Sequence, residues 1–202
     1  QRAKLNTGSP SPFAMLQGID NGVQAALFIG YHARAGTRNA ILSHTWSDKC
    51  VANLWINDTL MGETGLNASV CGHFNVPIIM VSGDQAVCSE AKQLLGDIEV
   101  AIVKRASSRM AAECLPPNQA QENIYQSAKQ AVKRLLSGEP FSPLQQKKPI
   151  DVKVEYYYAE MADRAALIPE IQRQERGFIS YTAHDMITAY QYFRAATALA
   201  RG

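Results

Sequence analysis

Residues 76–103, VPIIMVSGDQAVCSEAKQLLGDIEVAIV, decide the fold. Val76–Val81 is a short unbroken apolar run, the pattern of a buried strand. Gly83 follows, and Asp84 stands where a helix N-cap belongs, its side chain placed to accept from free backbone N–H groups. Gln85 to Leu95 then reads as a helix, ended by Gly96 in the position of a left-handed C-cap. Ile98–Val103 returns as an apolar strand. This rhythm predicts an α/β fold, a central sheet covered by helices.

Upstream the same logic repeats. Val23–Ile29 (VQAALFI) is a second nearly continuous apolar run, closed by Gly30. His32 falls just past its carboxyl end, the place where open α/β sheets bind ligands. Ala52–Ile56 reads as another strand, ended by the turn pair Asn57-Asp58. From Glu63 onward Leu66, Val70 and Phe74 recur at helical spacing until Asn75-Val76-Pro77 stops the helix, which puts Glu63 in its first turn.

Downstream, Asn118 after Pro116-Pro117 is expected to cap a long helix with Ile124, Ala128, Ala131, Leu135 and Leu136 as its buried stripe. Gly138 ends it, and GEPFSPLQQKKP (138–149) reads as a connector. Ile150, Val152, Val154, Tyr156 and Tyr158 alternate with Asp151, Lys153, Glu155 and Tyr157, a half-buried strand of period two. A short helix near 159–167 and a hairpin of 170–175 with 178–181 around Arg176-Gly177 follow. Thr182 with Asp185 resembles a capping box for a last helix. The chain thus divides into an α/β domain over 1–115 and a smaller C-terminal α/β subdomain over 116–202.

Composition limits the function classes. The 202 residues are 47% hydrophobic and 19% charged, enough apolar surface for a sizeable core. A net charge of +2 gives no case for nucleic acid or an anionic membrane, and Val76–Val81 stops far short of a membrane span. The tyrosines of 150–158 lack the basic patch that a base-stacking platform needs. Cys50, Cys71, Cys88 and Cys114 form no CxxC pair and are expected as reduced thiols in or near the core, which favours a cytoplasmic protein. The amino terminus, QRAKLNTGSPSPF, lacks the apolar core of a signal peptide and does not begin with methionine. The chain is therefore expected to be processed, truncated or part of a longer one.

The residues that carry chemistry lie in GYHARAG (30–36), LSHTW (42–46) and INDTLMGETGLNA (56–68). His32, His44 and Glu63 are the types that bind a hard-to-borderline divalent metal and move protons. Each also has a plain structural reading: a histidine after a strand satisfies backbone groups, and a glutamate at a helix start favours the dipole.

These segments, with AALFIGYHARAGT, SHT, NVPIIMVSGD, VKRASSRMAAECLPP and the late HDMITAYQ, resemble the DppA-type D-aminopeptidases, a family of dinuclear zinc exopeptidases. The resemblance spans essentially the whole chain. It implies that His32 in GYHARA and Glu63 in GETGLNA are metal ligands, and that His44 in SHT acts beside the metals as a catalytic histidine. It further implies two Zn2+ ions per complete site, a metal-activated water as nucleophile, short peptides with an N-terminal D-residue as substrates, and a homo-oligomer.

The family also carries an Asp-x-Glu-Gly motif at the end of a first strand and an Asn-Asp-x-His motif, both ahead of the region matched here. A complementing N-terminal segment is therefore an expected partner. Asp97-Ile98-Glu99 matches the first motif by letter only, since Val100 replaces the glycine, and Asn57-Asp58-Thr59-Leu60 lacks the histidine of the second. Neither is expected to bind metal, nor are His73 and His184, a helix-surface and a first-turn residue. Two further readings stand beside the enzyme: a catalytically inactive structural subunit, and a peptide-binding module that keeps the pocket without the chemistry.

Overall fold

A computed structural model describes residues 3–202; of the amino-terminal segment, Gln1 and Arg2 lie outside the described residues. The strands form two sheets. The first takes β1 (Ala26–Tyr31), β4 (Ile78–Asp84), β5 (Glu99–Ser108) and β6 (Ala111–Cys114) in the order β1-β4-β5-β6. β1, β4 and β5 run parallel, and β6 pairs antiparallel with β5.

All seven residues of β4 are buried. Helix α2 (Gln85–Leu95) and helix α3 (Pro117–Leu136) both pack against β4 and β5. A strand shielded by helices in this way needs no polar face, which is why VPIIMV is unbroken. Asp84 caps α2 as expected, accepting from the N–H groups of Ala86 and Val87, and Gly96 follows with φ of 81°.

The second sheet is antiparallel, in the order β3-β2-β7-β9-β8. Its members are β2 (Val51–Ile56), β3 (Thr59–Met61), β7 (Ile150–Tyr156), β8 (Gln172–Arg173) and β9 (Phe178–Ala183). Asn57 and Asp58, at φ of 47° and 62°, make the tight β2–β3 turn that a two-residue hairpin requires. β7 alternates buried and exposed residues because only one face meets helices α4 (Ala159–Ala165) and α5 (Met186–Arg201). On the other face the Lys153 ammonium lies 4.5 Å from the Phe178 ring centre. β2 pairs with β7, so this sheet draws strands from both sides of residue 115.

Helix α1 (Glu63–His73) joins the sheets and is buried from Glu63 to Gly72. It touches α2, α5, β1 and β3. The connector after α3 passes so close that a Cβ on Gly72 would strike the Leu144 carbonyl, so only glycine fits there.

Several local expectations change: β1 runs Ala26–Tyr31 instead of 23–29, with Phe28 its one buried residue and Val23 and Ile29 exposed, and Cys114 is exposed instead of lying near the core. Helix α3 starts at Pro117 with Pro116 as its N-cap, so Asn118 lies inside the first turn instead of capping it. Its buried face holds Ile124, Ala128, Ala131 and Leu135, whereas Leu136 is 81% exposed. Asp185 caps α5 by accepting from the Thr188 N–H, but the Thr182 hydroxyl donates across the strand pair to Asp151.

Candidate metal centre

His32 directly follows β1, and Glu63 is the first residue of α1 just past β3, with Gly62 in the extended N-cap position. A Cβ on Gly62 would collide with Arg34, so the helix can start this close to the His32 segment only with glycine there. His44 lies on the long loop between β1 and β2. The structure brings the three side chains together. Among the described residues they are the one group of His, Cys, Asp or Glu placed to share an ion, with one ligand atom of each within 4.8 Å of the others.

The His32 Nε2 is 3.1 Å from Glu63 Oε1, and the His44 Nε2 is 3.4 Å from the same oxygen. The two imidazoles stack at 3.7 Å between centres and 16° between planes. Each ring turns its Nδ1 to a backbone carbonyl: His32 to Ala33 at 3.2 Å, His44 to Leu42 at 2.7 Å. A carbonyl only accepts, so the proton of each neutral ring sits on Nδ1 and the Nε2 lone pair points inward. Two lone pairs and a carboxylate oxygen then face one another, an arrangement that calls for a cation.

With no ion bound, a proton on the His32 Nε2 takes that place. Burial pulls the His32 pKa down, but the hydrogen bond and charge of Glu63 outweigh it and the net shift is upward. Burial likewise pushes Glu63 up, and the two histidines with the Trp46 N–H outweigh that and bring it below its usual value. The buried carboxylate is thus kept ionised.

The loop that carries His44 is fastened at several points. The Trp46 N–H donates to Glu63 Oε1 at 3.0 Å, and the Trp46 ring packs edge-on against Tyr190 and Phe193 of α5. Trp46 has φ of 61°, an unfavourable conformation for a bulky residue that these contacts hold in place. The Thr45 hydroxyl accepts from the Ala35 N–H, and Asp84, besides capping α2, accepts from the Ile41 N–H at 2.7 Å. Arg109, between β5 and β6, donates to the Ser43 carbonyl and accepts at its own carbonyl from the Leu42 N–H. Glu90 holds the Arg34 N–H at 3.0 Å, and burial raises its pKa.

Residues named in the motifs but expected to be inert lie elsewhere. His73 ends α1 in solvent with its ring against Phe74, and His184 is exposed beside Asp185. Asp97 and Glu99 are both paired with Arg134. Sequence reasoning missed the supporting roles of Trp46, Asp84 and Arg109. All three stand inside quoted motifs, but Asp84 and Arg109 reach the loop only by tertiary contacts.

A cleft of about 920 Å³ runs along β1 to this cluster, with Met15, Tyr31, His32 and Glu63 in its wall. Fold and cluster together define an α/β protein with a candidate His/His/Glu cation site at the carboxyl end of a parallel strand. The D-aminopeptidase family, Peptidase_M55, matches residues 1–195, and the chain belongs to that family. It is 35% identical over 199 residues to the D-aminopeptidase of Bacillus subtilis (strain 168), covering 98% of this chain and 71% of the relative. It is also similar to the solved Zn-dependent D-aminopeptidase DppA from Bacillus subtilis, a self-compartmentalizing protease. The TM-score is 0.91 at 34% identity, over 97% of this chain and 70% of that one.

Proposed function

We propose that this chain is a zinc-dependent aminopeptidase that hydrolyses short peptides beginning with a D-amino acid. The observation that carries the reading is the convergence of two Nε2 lone pairs on one buried carboxylate oxygen. Imidazole nitrogen and carboxylate oxygen are the donors zinc prefers. His32 and Glu63 would hold the metal. Zinc, when bound, supplies Lewis acidity to a peptide carbonyl and acidifies the water that attacks it.

The chain's own residues do the rest. Trp46 fixes the Glu63 carboxylate through its N–H, so the charge is oriented before substrate arrives. His44, with Nδ1 tied to Leu42, keeps Nε2 as the position that takes up a proton and gives it to the departing amine. Its stack on His32 limits its rotation.

Two zinc ions need more donors than these three side chains offer, and the reading assigns the others to a complementing segment or a further chain. The description of DppA as self-compartmentalizing supports a homo-oligomer here as well. Buried, unpaired Cys50, Cys71 and Cys88 support a cytoplasmic setting. Among the described residues no helix is long and apolar enough to cross a membrane.

The test is zinc content together with hydrolysis of D-alanyl-D-alanine against L-alanyl-L-alanine. Turnover of the D-peptide that disappears with EDTA and returns with zinc is the expected result. A zinc-loaded protein that cleaves neither peptide overturns the proposal.

A further inference from the structure

Beside the metal cluster, behind the cleft wall formed by Met15 and Tyr31, lies a second polar group. Asn67 lies one turn after Glu63 on α1, so the two side chains share a helix face at roughly 5–6 Å. It is fully buried. Its amide nitrogen donates to the Tyr31 hydroxyl at 2.9 Å and also approaches the Met15 sulfur at 3.0 Å. The Tyr31 hydroxyl donates to the same sulfur at 3.4 Å. Two N–H and O–H donors therefore converge on a thioether, one of the weakest acceptors a protein has. Among the described residues the Asn67 Oδ1 has no hydrogen-bond partner.

Buried donors aimed at sulfur are poorly satisfied, and an oxygen in that place would satisfy them better. Met15 sits on a single 3-10 turn, Ala14–Leu16, and is 55% exposed, so its side chain has room to leave. The separation from Glu63 matches one to two extended peptide residues at roughly 3.5 Å each.

We propose that Tyr31 and Asn67 form a substrate subsite that binds an oxygen of the peptide, and that Met15 occupies it until substrate displaces the thioether. The subsite rests on the peptidase reading above. The oxygen is either the terminal carboxylate of a dipeptide or an internal peptide carbonyl, and both share the acceptor chemistry that the donor pair selects.

The experiment uses the zinc-loaded chain, D-alanyl-D-alanine and its carboxyl-terminal amide, with Tyr31→Phe and Asn67→Asp. Tyr31→Phe keeps the ring stacked on Phe28 at 4.4 Å and removes only the hydroxyl. It should raise KM about three- to tenfold with kcat little changed, the effect of one lost neutral hydrogen bond. Asn67→Asp, which sets a carboxylate against the substrate oxygen, should raise KM by at least about tenfold. A larger effect on the acid than on the amide identifies the carboxylate as the ligand; equal effects identify the carbonyl.

Methyl-labelled methionine NMR supplies a readout apart from turnover. The Met15 signal should shift when D-alanyl-D-alanine is added and shift less in both variants. Unchanged KM in both variants, or a Met15 signal unmoved at saturating peptide, overturns the subsite while leaving the peptidase reading intact. Absence of hydrolysis by a zinc-loaded wild-type chain removes both.

Discussion

His32 and His44 lie face to face, 3.7 Å between ring centres, with both Nε2 atoms directed at one oxygen of Glu63. The ring assigned to hold the ion and the ring assigned to move a proton are thus packed against each other and anchored on the same carboxylate.

The division of labour between the stacked rings is testable. His44→Ala should lower kcat about 10²- to 10⁴-fold, the usual share of a positioned acid–base group. His32 and Glu63 remain in place, so zinc content should stay close to that of the wild type. Steady-state kinetics with metal analysis of the same preparation checks both.

Asp84 is fully buried and serves two elements at once: it caps α2 through Ala86 and Val87 and holds the Ile41 N–H of the His44 loop. Asp84→Ala removes the cap and leaves a backbone donor unpaired. The expected cost is about 2–4 kcal/mol in urea unfolding. Activity should fall further than stability alone explains, because the His44 loop loses an anchor.

Gly83 stands between β1 and α2, where a Cβ would collide with the Tyr31 carbonyl and a Val87 methyl. Gly83→Ala should destabilise the protein by about 1–3 kcal/mol. β1 would be pushed away from β4 at the residue next to His32, so zinc affinity should fall as well, as calorimetric titration would show.

Asp185 gives a pH signature remote from the site. Burial pushes its pKa up, but the hydrogen bonds from Thr188 and the nearby His184 and His73 outweigh this, and the net shift is downward. A carboxylate depressed on folding stabilises the fold above its unfolded value of about 3.9 and loses that contribution as pH falls through the folded value. Asp185→Asn should therefore cost about 1 kcal/mol or less at pH 7, and the difference from wild type should shrink toward pH 3. Denaturant curves at the two pH values measure it.

The parts of the fold that could be read from sequence were those where one residue pattern has one physical solution. The Asp84 and Gly96 boundaries of α2 appear where the residues place them, and the apolar run of β4 and the alternation of β7 appear with their ends shifted, to Ile78–Asp84 and Ile150–Tyr156. The short pieces did not announce themselves. β3 has three residues and β6 is mostly exposed, so neither carries a period, and both exist because a neighbouring strand offers a pairing edge.

Asn118 and Leu136 show the limit of local propensity. Pro116 already stands at the N-cap, and the helix rotates Leu136 off the face that packs against the first sheet. In the site, the motifs pointed to His32, His44 and Glu63 because imidazole and carboxylate are metal-binding types and the segments around them resemble one family's. Their supports pair backbone groups of the His44 loop with side chains such as Asp84 and Arg109 from distant segments, and that pairing has no spacing in the sequence.

One feature of the architecture reaches beyond the site. His32 hangs from the end of the four-stranded sheet, while Glu63 follows the last strand segment of the hairpin at the edge of the five-stranded one. An ion held between them would be a rivet through both layers, and binding only the assembled form would raise the stability of the whole chain with the logarithm of the ion concentration. The melting temperature of this protein is accordingly a gauge of how fully its rivet is set.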